Sequence, residues 1–333
     1  MRRYFYLITL VFIAFFSFLY LNDKKVIDDE VKIGVFAYKK ADTFISLITG
    51  EMEKEVKSIN ETGEKVKINI SYGKNNQLTQ NDEVDRFLAL EYNVLCVNLV
   101  DRTNASLIID KAIENDTPLI FFNREPVSED LYRNSNIYYL GSKPKLSGII
   151  QGELVVEAYE KNKSLIDKNN DDIINYAMIE GELGHQDAIY RTEYSIKTIN
   201  ANGIETNKVV SGIGNFDRDQ GNALMEQWLI EGYDIELVIC NNDEMALGAL
   251  EACKNSNVTI PIVGIDGVSE AISEVEKGNL LGTVISDYEL YGETLFKVAY
   301  ALGTKSTIPS DIVVEDGKYI WIPWEGILNP LYK

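Results

Sequence analysis

A single histidine and three cysteines, Cys96, Cys240 and Cys253, are all that 333 residues offer in soft metal ligands and strong nucleophiles. No two cysteines stand at CxxC spacing, which argues against the usual tetrahedral zinc sites. Any Ser-His-Asp or Cys-His arrangement would have to use His185. Cys96 and Cys240 fall inside apolar strand-like runs and read as core filler. Basic residues are scarce too: 32 Lys and Arg stand against 52 Asp and Glu, a net charge of −20. That excess repels phosphate backbones and anionic headgroups, so it argues against nucleic acid partners and peripheral membrane attachment and favours neutral or cationic ligands. No stretch rich in Pro, Gly and Ser divides the chain, so two domains would be joined by several short crossings.

What is present is length enough for two cored domains, and an apolar start. Arg2 and Arg3 precede Tyr4 to Tyr20, an uncharged run of about the length a membrane span needs. No small-x-small cleavage site follows it and no Cys lies nearby to carry a lipid. Residues 1–22 therefore read as an uncleaved anchor with a cytoplasmic tip and an outward-facing body, with cleaved export or a buried helix as alternatives.

From Val31 onward, short β-branched runs alternate with segments of helical period, the signature of βα units and parallel sheets. Lys32 to Ala37, Val66 to Tyr72, Val94 to Asn98, Leu119 to Phe122 and Tyr138 to Leu140 read as strands of a first domain. Tyr176 to Ile179, Lys208 to Val210, Leu237 to Cys240, Ile260 to Val263 and Gly282 to Ile285 repeat the pattern. Asp287 to Leu302 reads as a further helix, with late strands at Ile312 to Val314 and Tyr319 to Ile322. The expected fold is α/β, two doubly wound parallel-sheet lobes, with 31–141 plus 288–316 forming the first and 142–287 plus 317–333 the second. Ligands bind beyond the carboxyl ends of such strands, here in a crevice between lobes.

The loops after those strands carry a recognisable set: Tyr38-Lys39-Lys40-Ala41-Asp42-Thr43-Phe44, Phe121-Phe122-Asn123-Arg124-Glu125-Pro126, Gly181-Glu182-Leu183-Gly184-His185-Gln186-Asp187 with Arg191, Asn241-Asn242-Asp243 and Gly264-Ile265-Asp266. Together with Ser147-Gly148-Ile149-Ile150-Gln151-Gly152, they resemble the galactose/glucose-binding protein family of bacterial sugar uptake and chemotaxis, from about Lys32 to the C-terminus. The resemblance implies a type I periplasmic binding protein fold whose lobes close over one monosaccharide, D-galactose or D-glucose. It assigns Asp42, Phe44 and Asn123 to the sugar from the first lobe, and His185, Asp187, Arg191, Phe216, Asn242 and Asp266 from the second. Phe216 stands where the family has a tryptophan, and Ser286 where it has a hydrogen-bonding asparagine.

A pyranose offers a rim of hydroxyls and two faces with apolar C–H patches. Asp42, Asp187 and Asp266 would accept from hydroxyls, Asn123 and Asn242 offer both polarities, Arg191 and His185 donate, and Phe44 and Phe216 supply platforms. Each has a plainer role available: Asp42 and Asp187 suit helix N-caps, Asn123 a loop turn, the aromatics core or staple positions, Arg191 a salt bridge.

Asp167, Asn169, Asp171, the Ile173 carbonyl and Asn175 fall at EF-hand spacing, the pattern that wraps hard oxygens around Ca²⁺, with a solvated turn as the plainer reading. The twelfth position is Met178, so the loop lacks its closing acid. The resemblance supplies it from Glu236. Asp172 holds the sixth position, normally Gly.

The function these features support is an extracytoplasmic, monomeric sugar receptor without chemistry of its own. Its partner would be an ABC permease or, alternatively, a membrane sensor kinase or chemoreceptor. A carbohydrate-active enzyme using Asp42 and Asp266 is the remote alternative. A repressor of the same fold would need a basic helix-turn-helix where this chain has an apolar run.

Overall fold

The computed structural model describes residues 30–332. The anchor expected over residues 1–22 lies outside them. Among the described residues, no helix is long and apolar enough to cross a membrane.

Uninterrupted apolar runs become strands buried on both faces. Val94–Val97 (β3), Leu119–Phe122 (β4) and Leu237–Cys240 (β8) are buried at every position, as parallel strands covered by helices on both sides must be. They are among the inner strands of two six-stranded sheets. The first adds Val31–Ala37 (β1), Val66–Tyr72 (β2), Ile137–Gly141 (β5) and Tyr319–Trp321 (β11) in the order β11-β5-β4-β3-β1-β2. The second adds Ile173–Glu180 (β6), Glu205–Ile213 (β7), Ile262–Asp266 (β9), Gly282–Ser286 (β10) and Trp324–Leu328 (β12) in the order β12-β10-β9-β8-β6-β7. All pairings are parallel except β10 with β12.

The helices at the site are Thr43–Glu61 (α1), Pro144–Asn162 (α5), Gln186–Ala201 (α6), Arg218–Glu231 (α7), Asp243–Asn255 (α8) and Tyr288–Gly303 (α10). Gln77–Ala89 (α2), Ser106–Glu114 (α3), Ser128–Leu131 (α4) and Ser269–Glu276 (α9) complete the set. The chain crosses between lobes after β5, into α5, whose Leu154 and Val155 join the second lobe's core. It returns after β10 into α10, whose Leu295 and Phe296 pack with Ile45 and Ile48 of α1. The third crossing joins β11 to β12. Helices α5 and α6 meet closely because Gly148 and Gly152 face α6: a Cβ on Gly152 would lie 2.6 Å from the Ser195 carbonyl oxygen. That approach sets the position of Arg191, which α6 carries into the cleft.

Two expectations fail at the C-terminal end. Ile312 to Val314 does not form a strand. Its Ile312 and Val314 pack on the first core, but the chain turns at Asp316 and Gly317, both at positive φ, leaving one isolated bridge between Glu315 and Tyr319. Residues 319–321, expected in the second lobe, instead pair with β5 in the first sheet. Their aromatic rings hold them there: Tyr319 and Trp321 stack at 5.2 Å, and both meet Tyr139 edge-on.

Candidate functional site

Every loop of the resemblance emerges at a strand's carboxyl end, and the two sets face each other across a cleft of about 490 Å³. Asp42, Phe44 and Asn123 line it from one side; His185, Asp187, Arg191, Phe216, Asn242 and Asp266 line it from the other. Ser286 does not. It is fully buried, and its hydroxyl meets that of Ser142 at 3.3 Å.

Several lining residues are also helix caps, so the two roles weighed for them coexist. Asp42 caps α1 through Oδ1, which accepts the Ile45 N–H at 2.8 Å, while Oδ2 accepts the Tyr38 hydroxyl at 2.6 Å. Asn242 caps α8 through the Met245 N–H. His185, not Asp187, caps α6: its Nδ1 accepts the Asp187 N–H at 3.1 Å, which leaves Nε2–H as a donor. Burial, with Arg124 and Arg191 nearby, pushes the His185 pKa well below its ordinary value, so the ring stays neutral in that tautomer. Asp243 is buried among the Gly267 and Val268 N–H groups and the Thr283 hydroxyl and does not line the cleft.

On the second-lobe side, Arg191 donates to the Asn241 carbonyl at 2.8 Å and lies 3.3 Å from Asp187 and 3.4 Å from Asp266. Burial raises the Asp187 carboxyl above its usual range and Asp266 well above it, against the opposing pull of Arg191. Phe216 packs on Gly181, where a Cβ would fall 2.1 Å from the ring, and meets His185 edge-on at 5.1 Å. Asn123, Phe216 and Asp266 all have positive φ, so uncommon backbone conformations gather at the cleft.

The sequence reading missed Tyr38, Arg124 and Glu182. Arg124 lies over the Tyr38 ring at 3.7 Å and reaches across to Glu182 at 2.6 Å, joining the lobes. Lys39 approaches the same carboxylate at 3.6 Å, and Gln186 donates across to Glu125 at 3.2 Å. The available signal was adjacency, since Tyr38 opens the Asp42 loop and Arg124 follows Asn123.

At the acidic loop, Glu236 does arrive from the start of β8. Nearly fully buried, it accepts the Lys168 N–H at 2.7 Å, the Asn169 N–H at 3.1 Å and the Asn175 N–H at 3.0 Å. Asp167 accepts the Asp171 and Asp172 N–H groups, and Asp171 accepts that of Ile173. The Asn175 amide turns aside to Asn207 and Asp234. Asp172 takes φ of 66°, the conformation its turn demands. Lys163 Nζ rests 3.1 Å from Asp167 and also bonds Asp172, so an ammonium sits at the loop's first carboxylate. Among the described residues no group of three or more His, Cys, Asp or Glu is gathered as for a metal ion. The side-chain and carbonyl donors the loop offers are hard oxygens, the class of ligand that suits Ca²⁺.

Comparison with known proteins agrees with the fold. Residues 33–306 match the model of the periplasmic binding protein domain. The D-galactose/methyl-galactoside binding periplasmic protein MglB of Haemophilus influenzae is 38% identical over 300 residues, 89% of each chain. The ribose import binding protein RbsB of Bacillus subtilis is 26% identical over 77% of this chain and 76% of its own. Among solved structures, an ABC transporter solute binding protein from Bacillus halodurans with bound myo-inositol superposes with a TM-score of 0.75 at 28% identity, covering 92% of this chain and 98% of that one. These relatives are binding proteins, not enzymes.

Proposed function

The chain belongs to the periplasmic binding protein family, and from that premise we propose that it is the extracytoplasmic binding component of an ABC sugar transporter, closing two lobes over one aldohexose, D-galactose or D-glucose. One observation carries the reading: nine residues assigned to a sugar by resemblance line a single cleft. It offers acceptors from Asp42, Asp187 and Asp266, donors from His185 and Arg191, and aromatic surface from Phe44 and Phe216. A buried hydroxyl left without its partner costs about 1–3 kcal/mol, which is the source of selectivity. Calorimetry against a panel of hexoses, pentoses, myo-inositol and amino acids tests it. Strongest binding of D-galactose or D-glucose, released unchanged, is expected; preference for a pentose, inositol or amino acid overturns the assignment.

Serine caps a helix about as well as aspartate, but it has no second oxygen for the Tyr38 hydroxyl. Asp42→Ser is therefore expected to weaken sugar binding by about 1–3 kcal/mol, with a loss of stability from the Tyr38 hydroxyl that Tyr38→Phe in the same background removes. Unchanged affinity would reduce Asp42 to a cap.

Affinity is also expected to depend on pH. Only an ionised carboxylate accepts without donating, and burial raises Asp187 and Asp266 in the unliganded cleft. When binding draws on the charged form, affinity strengthens as pH rises through those raised pKa values, and sugar binding releases protons at pH below them. Calorimetry in two buffers of different ionisation enthalpy measures that release, and identical heats would count against it.

We further propose that the loop from Asp167 to Asn175, with Glu236, binds one structural Ca²⁺. The ion would displace the Lys163 ammonium from Asp167 and draw on Asn169, Asp171 and the Ile173 carbonyl. What supports this is the donor spacing and the arrival of Glu236 at the loop.

A further inference from the structure

Resting on the sugar reading above, we propose that Asn98, a residue outside the cleft, fixes the Asn123 amide with its oxygen turned to Asn98 and its N–H donor left for the ligand, so that the first lobe reads one sugar hydroxyl through its lone pair.

Asn98 follows β3 and is fully buried. Two fixed backbone groups determine which way its amide points. The Tyr38 N–H, which can only donate, is 3.2 Å from Asn98 Oδ1, and the Phe122 carbonyl, which can only accept, is 3.2 Å from Nδ2. Turned over, the amide would set oxygen against oxygen and N–H against N–H. The backbone of Asn98 is pinned as well, because its N–H donates to the Phe36 carbonyl and its own carbonyl accepts from Gln80 at 2.9 Å. Asn98 Nδ2 therefore presents a proton to Asn123 Oδ1, 3.0 Å away.

The rest of Asn123 is also committed. Its N–H donates to the Tyr291 hydroxyl at 2.8 Å, and that hydroxyl gives its single proton to the Leu140 carbonyl at 2.8 Å. Its carbonyl accepts from the Tyr139 hydroxyl at 2.9 Å. These bonds hold the residue at φ of 61°. Of its four polar groups, Nδ2 alone has no partner among the described residues. An asparagine normally offers a ligand either polarity; here the oxygen is turned to Asn98 and Nδ2 is the group without a protein partner. Asn98 is thus a positioning residue that converts an ambiguous side chain into one of defined polarity. Asp42, whose oxygens only accept, is its complement in the same lobe.

Fluorinated sugars read the difference, since fluorine keeps a weak acceptor and has no proton to give. Calorimetry would compare wild type with Asn123→Ala on D-galactose or D-glucose, whichever binds, and on its monodeoxy and monodeoxyfluoro analogues. The hydroxyl facing Asn123 is the one whose deoxy analogue is indifferent to Asn123→Ala. At that position, Asn123→Ala is expected to weaken the parent and the fluoro analogue, the latter by at least about threefold. If Asn123→Ala instead strengthens the fluoro analogue, Asn123 presents its carbonyl and the inference is overturned. Asn98→Leu, which frees the Asn123 amide to turn, should erase the fluoro effect while weakening the parent less. Equal weakening of both would leave Asn98 a merely structural residue. Asn98→Ser provides the same comparison if Asn98→Leu does not fold. Binding of no hexose at all would remove the sugar reading itself, whereas a parent sugar that binds with the wrong fluorine response removes only the polarity assignment.

Discussion

Arg191→Met is expected to abolish measurable sugar binding and to destabilise the protein by about 3–5 kcal/mol, the usual cost of stripping one partner from a buried ion pair. Methionine keeps much of the side-chain volume, so the loss reports charge more than packing. Arg191 is 4% exposed, and its guanidinium is the cation within 3.4 Å of Asp187 and Asp266. Without it two buried carboxylates face one another, and each holds its proton more tightly. The sign of the pH effect follows from that. Groups whose folded pKa is raised stabilise the folded state below the unfolded value and lose that contribution as pH rises through the folded one. The penalty of Arg191→Met should therefore be smallest in acid and grow toward neutral pH. Denaturant titrations at acidic and neutral pH, with calorimetry on the same samples, decide it. A loss below about 1 kcal/mol at neutral pH, with sugar still bound, would show that Arg191 is not the keystone of the second-lobe site.

Calcium supplies the next largest effect. An ion that binds only the folded loop, at about 100 times its dissociation constant, should add roughly 2.7 kcal/mol of stability. Glu236 is separated from the loop in the unfolded chain and joins it only on folding, so the second lobe should gain most. Thermal melts with calcium and with chelator measure the shift. Glu236→Gln should diminish it, and Lys163→Met, which removes the competing ammonium from Asp167, should raise calcium affinity. A melting temperature indifferent to saturating calcium would leave the loop as a turn closed by Glu236 and Lys163. A shift undiminished in Glu236→Gln would keep the ion and remove the remote ligand.

Much of this site was legible before any coordinates. Strands buried on both faces announce themselves as unbroken apolar runs, and the polar residues that follow them must emerge at the sheets' carboxyl ends. Asp42, Asn123, Asn242 and Asp266, which the family resemblance picks out among those strand-end residues, line one cleft. Helix periodicity located α10 within a residue, because it buries a face over many turns.

Other features had no local signal. A three-residue strand such as β11 carries too little pattern to declare its sheet, and edge-on packing against Tyr139 decided its lobe. Ser286 stands at the expected strand end yet turns to Ser142, because a short hydroxyl side chain bonds the nearest partner, which lies on another crossing segment. Arg124 reaches Glu182, and Glu236 reaches the acidic loop, over sequence separations that only the packed sheets close. By itself, then, the sequence determined the two-lobed fold and the cleft, which follow from periodicity and strand-end position, while the family resemblance named most of the lining. Tertiary structure alone decided which lobe claims the last strands, how the lobes are tied, and the polarity of Asn123, since those depend on directional bonds between groups far apart in the chain.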